Sequence, residues 1–269
     1  MDRRRPTAQR RPDRAMTDEL SEHDPVVVVT IDNPAQRNAL DDASRRALLA
    51  AIRKAVDAPS RVVVLTGAGG TFCAGGELRS MPATDAAAVT SRMGEMHDIV
   101  RTIITASQPV IGAVEGFAYG SGLSLAAACD IVVAADNARF GCTFGRVGLM
   151  ADCGLLMTLP RRVGPAKAKV ICLSNAILDA ADALELGLVD ELVEPGNAES
   201  RAIELASQLS KNAPLAMAAT KRMLTVFPRG IDDLLARELD EQIALFASDD
   251  FRHGRDAFLG RSDPAFLGH

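Results

Sequence analysis

Arg61-Val62-Val63-Val64-Leu65-Thr66-Gly67-Ala68-Gly69-Gly70-Thr71-Phe72-Cys73-Ala74-Gly75-Gly76-Glu77-Leu78 joins a continuous β-branched run to a loop with five glycines among its positions 67–76. An apolar run without polar alternation reads as a strand buried on both faces, as in a parallel sheet covered by helices. The glycines permit positive φ and close approach of the main chain to a ligand. They do not form the dinucleotide fingerprint GxGxxG, because Phe72 stands where the third glycine belongs. Two readings stay open for the loop. It is a tight strand-to-helix turn, or it presents backbone N–H groups to an anion or a developing oxyanion.

Outward from this stretch the same alternation repeats. Val26-Val27-Val28-Val29-Thr30-Ile31 is a second apolar run, also expected to be buried on both faces. Between the two runs, Asp41 or Asp42 caps a helix whose Leu48, Leu49, Ile52 and Val56 recur at helical spacing. Downstream, Val89, Met93, Met96, Val100, Ile103 and Ile104 mark a helix, and Pro109–Val114 and Asp130–Ala134 mark strands. After Pro195 the periodicity is purely helical through residue 260. The reading is therefore an α/β core over residues 25–197 followed by a helical C-terminal region over 198–269. Residues 1–24, with six arginines, two prolines and then an acidic run, read as a disordered tail.

At 269 residues with 48% apolar and 24% charged positions, the chain is long enough for one large core. Lys and Arg number 30 against 35 Asp and Glu, a net charge of −5, and the basic residues form no stripe suited to nucleic acid. No stretch reaches the roughly 18 consecutive apolar residues of a membrane span. Five cysteines, with no CxxC pair, read as free thiols in a reducing cytoplasm. His23, His97, His253 and His269 lack metal-ligand spacing, so no metal is assigned.

A second glycine turn, Gly116-Phe117-Ala118-Tyr119-Gly120-Ser121-Gly122-Leu123-Ser124, again sits between a strand and a helix. An N–H from each of two neighbouring turns can meet on one carbonyl oxygen, which is how an oxyanion hole is made. The rival reading, a hydrolase nucleophile at Ser121 or Ser124, fits poorly because neither completes GxSxG.

Taken in order, Asn33-Pro34, Arg37-Asn38-Ala39-Leu40, Phe72 to Leu78, Gly116 to Gly122, Cys129-Asp130, Ala138 to Gly141, Leu159-Pro160-Arg161, Ala183 to Asp190 and Phe251 to Phe258 resemble the enoyl-CoA hydratase/isomerase (crotonase) superfamily. The likeness spans Pro25 to Phe266. It implies a crotonase-like spiral of ββα units, a C-terminal helical region that packs between subunits, and a homo-oligomer that is a trimer or a dimer of trimers. It also implies that the backbone N–H groups of Gly76 and Ser121 polarise the thioester carbonyl of an acyl-CoA. Ser121 replaces the usual glycine. The resemblance places Gln36, Arg37 and Ala74 around the CoA nucleotide, with Arg261 of a neighbouring subunit adding a phosphate contact. Gly75, Glu77, Leu78, Tyr119, Gly120, Ser124 and Phe144 then belong to the substrate site. CoA arrives as part of the substrate, so no separate cofactor is implied.

Hydratases of this family use two glutamates to activate water, and the matching positions here are Ser124 and Phe144. Neither exchanges a proton in that way. A carboxylate follows in Val147-Gly148-Leu149-Met150-Ala151-Asp152-Cys153-Gly154, which is similar to the segment carrying the catalytic aspartate of double-bond isomerases of the family. Asp152 is accordingly expected to shuttle a proton with a raised pKa, the alternative being a cap for the helix that follows. Glu77 reads either as a substrate contact or as a first-turn acid favoured by the helix dipole. Met93, Met96 and Met150 read as acyl-pocket or core residues. The expected activity is migration of a carbon–carbon double bond in an enoyl-CoA. The alternatives are an enoyl-CoA hydratase, a non-catalytic acyl-CoA binder, and a thioester hydrolase.

Overall fold

A computed structural model describes residues 25–81, 85–226 and 228–269; the tail expected over 1–24 lies outside them. The strands are β1 (Val26–Ile31), β2 (Val62–Gly67), β3 (Val110–Val114), β4 (Phe117–Tyr119), β5 (Ile131–Ala135), β6 (Arg139–Gly141), β7 (Ile177–Asp179) and β8 (Glu191–Val193). The helices that matter here are α1 (Asp42–Asp57), α2 (Ala86–Thr105), α3 (Ser121–Ala128), α4 (Leu155–Val163), α5 (Pro165–Ser174), α6 (Ala180–Glu185), α7 (Ala198–Leu209), α8 (Pro214–Thr225), α9 (Ile231–Ala247) and α10 (Asp249–Gly260).

Five strands form a parallel sheet in the order β1-β2-β3-β5-β8, and β4, β6 and β7 form a second, smaller sheet with β6 and β7 antiparallel. Parallel neighbours need crossovers, and the helices between strands supply them. β2 is buried from Val62 to Thr66 because it is covered on both sides. Val63 and Leu65 point into the main core with Leu48 and Ile52 of α1 and Ile99 and Ile103 of α2. Val62 and Val64 point the other way, against Ala198, Ala202 and Ala206 of α7, whose small side chains let that helix lie close to the sheet.

One expectation is corrected. β1 is not buried on both faces: it is an edge strand paired only with β2, and Val27, Val29 and Ile31 are buried while Val26 and Val28 are only partly covered. Within the helical region after residue 197, α7 packs on β2, β3 and β5. Asp41, rather than Asp42, caps α1, in a reciprocal box in which the Ser44 amide donates to Asp41 and the Asp41 amide donates to the Ser44 hydroxyl. Such a cap stabilises a helix by about 1 kcal/mol.

The sheet edges deliver the two glycine turns to one place. After β2 the chain runs through the loop as an extra rung beside β4: the Cys73 amide donates to the Phe117 carbonyl at 2.8 Å and the Tyr119 amide donates to the Cys73 carbonyl at 3.0 Å. On the other flank the Leu40 amide donates to the Gly75 carbonyl at 2.7 Å and the Glu77 amide donates to the Leu40 carbonyl at 3.1 Å. Asn38, fully buried with φ +57, locks this flank by donating to the carbonyls of Ala68 and Thr71.

Candidate active site

Gly76 and Ser121 sit on abutting turns. Gly75 has φ +101, and a Cβ there would stand 2.7 Å from the Tyr119 carbonyl oxygen. Gly122 lies so close to Cys73 that a Cβ would fall on its carbonyl. Glycine is needed at both positions because two main chains touch. The amides of Gly75 and Glu77 are engaged, as is that of Gly120, which donates to the Gly141 carbonyl at 2.9 Å. Among the described residues the amides of Gly76 and Ser121 have no acceptor in the protein. The two turns differ in kind, however. Ser121 is the first residue of α3, whereas Gly76 lies in an extended clamp and α2 begins ten residues later, so only one of the donors is at a helix N-terminus.

Asp152 lies in the loop before α4. It does not cap that helix: the residue at the N-cap is Gly154, no side chain caps it, and the buried Oδ1 of Asp152 has no hydrogen-bond partner. The loop is held by Ser124, whose Oγ donates to the Asp152 carbonyl oxygen at 3.1 Å. Burial pushes the Asp152 carboxyl above its usual range, against the opposing pull of the Cys153 thiol, Arg92 and His97. Cys153 next to it adopts φ +52, a conformation rare for a side-chain-bearing residue and often found at functional sites.

The remaining expected residues separate into groups. Gln36, Gly76, Glu77 and Leu78 line one groove with Ala39 and Ser80. The Ala74 amide donates to the Arg37 carbonyl at 3.0 Å, and the Arg37 guanidinium lies 5.7 Å from the centre of the Phe117 ring. Glu77 is not a free substrate contact: its carboxylate accepts from the amides of Arg79 and Ser80, the first of which holds its pKa down. The Tyr119 ring packs on Gly141 and on Phe117, at 5.2 Å between centroids, so its contribution at the turn is its main chain. Phe144 is buried. Arg261 caps the exposed end of α10. Met96 is core and Met150 is 71% exposed.

For nucleophilic catalysis the site is poorly equipped. The Ser124 hydroxyl is spent on the carbonyls of Gly120 and Asp152, and the buried Ser121 Oγ meets no partner, so no base activates either serine. Burial holds the Cys73 thiol neutral, with its pKa pushed up to about 12.

One residue escaped the sequence reading. Arg92 of α2 presses on the site so closely that a Cβ on Gly76 would stand 2.6 Å from its Nη2 and equally close to the methyl group of Met81. The signal was present: Arg92 stands four residues before Met96, seven before Ile99 and eleven before Ile103, so it extends the buried stripe of α2.

Residues 21–269 match the model of the enoyl-CoA hydratase/isomerase family. The chain belongs to that family. A relative from Rhodobacter capsulatus, described as a probable enoyl-CoA hydratase, is 37% identical over 247 residues, covering 90% of this chain and 95% of the relative. The 1,2-epoxyphenylacetyl-CoA isomerase of Escherichia coli is 32% identical over 251 residues, with 90% and 95% covered. Among solved structures, an enoyl-CoA hydratase from Polaromonas sp. JS666 superposes with a TM-score of 0.86 at 35% identity, covering 93% of this chain and 99% of that one. The α/β architecture is thus the crotonase fold, and the chain is an acyl-CoA-processing enzyme of the hydratase/isomerase family.

Proposed function

We propose that this family member moves a carbon–carbon double bond in an enoyl-CoA through a thioester enolate. The observation that carries the reading is the pair of unengaged amides, Gly76 and Ser121, on turns that touch, with Asp152, whose buried Oδ1 has no partner, tied by its main-chain carbonyl to the same helix through Ser124. Two N–H donors on the thioester oxygen acidify the carbon beside the carbonyl by stabilising the negative charge that grows on that oxygen. Losing one such donor typically costs about 3–4 kcal/mol in the barrier. Asp152 takes the proton from that carbon and returns it two carbons further along, so that a 3-enoyl-CoA becomes a 2-enoyl-CoA. Its raised pKa suits a group that must both accept and give back a proton. Ser124 and Phe144, at the positions of the hydratase glutamates, leave no second carboxylate to activate water. The Escherichia coli relative is also named an isomerase, although of an epoxyphenylacetyl-CoA.

Hydration is the second reading, favoured by the name of the Rhodobacter capsulatus relative. A binder without turnover is the third. One assay separates all three: incubation with a 3-enoyl-CoA and, separately, a 2-enoyl-CoA. Bond migration that is lost in Asp152→Asn supports isomerisation; accumulation of a 3-hydroxyacyl-CoA supports hydration; binding without either product supports the binder.

In this reading the CoA nucleotide lies along Gln36, Arg37 and Ala74, and the substrate brings the only coenzyme required. The assembly is a trimer or a dimer of trimers. What supports it is a stripe on α9, where Ile231, Leu235, Leu239, Ile243 and Phe246 are 51–64% exposed along one helix face. The family resemblance assigns Arg261, at the end of α10, to a neighbour's phosphate in that assembly. Cytoplasmic residence fits the five free cysteines. Among the described residues no helix is long and apolar enough to cross a membrane.

A further inference from the structure

Arg92 has a charge with too little to balance it. Its side chain is only 12% exposed, and its buried Nη1 has no hydrogen-bond partner. The nearest carboxylate, Asp42, is 3.9 Å away, largely solvated, and already accepts from Arg45 at 3.0 Å. Arg45 itself is a like charge on the same side, with its Nε on Glu95 at 2.6 Å. The groups that act on Arg92 are thus Asp42 and Arg45 on α1, and Asp152 and the Cys153 thiol on the loop before α4. Asp152 forms no ion pair with it, although both groups belong to the same site and the Asp152 Oδ1 is also unpartnered.

A guanidinium stays protonated even when burial lowers its pKa. Buried donors of native proteins are almost always satisfied, so an orphan in a binding site points to a ligand that completes it. The thioester oxygen is already provided for by the amides of Gly76 and Ser121. In the proposed reading the CoA phosphates are assigned to exposed Gln36 and Arg37, and a buried arginine is not needed for them. What remains is the acyl group. A planar fork of donors fits a carboxylate better than any other acyl substituent, because it binds both oxygens and supplies the opposite charge.

We propose that Arg92 determines specificity by pairing with a carboxylate carried on the acyl chain, so that the preferred substrates are CoA monothioesters of dicarboxylic acids. The inference rests on the acyl-CoA reading of the site. Because Nη2 touches Gly76, the carboxylate lies only a few carbon atoms from the thioester.

The test is calorimetric titration of the purified protein with matched pairs of CoA thioesters: succinyl and butyryl, glutaryl and pentanoyl, adipyl and hexanoyl. The wild type is expected to bind the carboxylated member of at least one pair about tenfold more tightly than the neutral one. Arg92→Gln is expected to bring that ratio close to one, and Arg92→Lys to retain part of it, with circular dichroism confirming that each variant is folded. Neutral chains that bind as tightly as their carboxylated partners in the wild type at every length would overturn the proposal, without needing any variant. So would a preference that survives Arg92→Gln. Failure of every CoA thioester to bind would sink the acyl-CoA reading itself, and this inference with it, whereas binding of neutral chains alone would sink only the inference.

Discussion

The Ser124 hydroxyl donates a 3.1 Å hydrogen bond to the main-chain carbonyl of Asp152. Helix α3, whose first residue offers one amide of the hole, is thereby fastened to the loop carrying the proposed acid/base group. Ser124 is fully buried. Ser124→Ala leaves that carbonyl without this partner, which is expected to destabilise the fold by about 1–2 kcal/mol. The loop then wanders, so kcat for bond migration should fall by more than KM rises. Thermal melts and steady-state kinetics check both; an unchanged kcat would mean that Asp152 keeps its place without the tie.

Ser121 separates a main-chain role from a side-chain role. Ser121→Ala keeps the N–H and removes a buried hydroxyl that has no partner, so activity and stability should be retained. Ser121→Pro removes the N–H at the first position of α3, where proline is tolerated. The expected loss in kcat is about 10²–10³-fold, the usual effect of deleting one oxyanion donor. Loss of activity in the alanine variant would instead argue for a hydroxyl nucleophile.

Gly75→Ala tests whether the two turns must touch. Its φ of +101 and the 2.7 Å approach to the Tyr119 carbonyl leave no room for a methyl group without moving one backbone away from the other. The variant should fold less stably and lose most of its turnover, since donors displaced by an ångström no longer meet the oxygen. Turnover close to wild type, measured alongside a melting curve, would show that the spacing is not critical.

For Asp152 the sign of the pH effect can be worked out. Burial raises its pKa in the folded protein, so between the unfolded and folded values the folded state holds more protons. Stability therefore falls as pH rises through that window, and ionised Asp152 is a net cost at neutral pH. Asp152→Asn should melt higher than wild type at about pH 7 and lose that advantage near pH 3, below the unfolded pKa. Activity should behave oppositely: the variant is expected to be inactive, and the wild-type kcat/KM should decline in acid with a midpoint above the ordinary aspartate range. A variant that melts lower at neutral pH, or a wild type active in its fully protonated form, would contradict this account.

The sequence was most legible where a single physical cause dominated. β2 and β3 are buried on both faces because both layers cover them, and their continuous apolar runs say so. β1 has an equally continuous run but lies at the sheet edge, a matter of topology that composition does not record. The two glycine turns were readable as places where backbones approach closely, since that leaves few other choices of residue, whereas singling out Gly76 and Ser121 within them took the family resemblance. An acid at Glu77 suits either a ligand or a local turn, and its carboxylate accepts two amide bonds within the turn, a local role that the sequence pattern does not separate from the other. Arg92 was overlooked because one arginine on a helix is normally a solvated side chain. Only the packing of α2 against α1 and the loop turns it inward, and that contact joins distant parts of the chain.

The most direct measurement is a crystal structure with a non-reactive acyl-CoA bound. The thioester oxygen should lie within about 2.7–3.1 Å of the amide nitrogens of both Gly76 and Ser121, with the Asp152 carboxyl against the acyl carbons. A thioester oxygen out of reach of either amide, or an Asp152 carboxyl turned away from the chain, would contradict the mechanism.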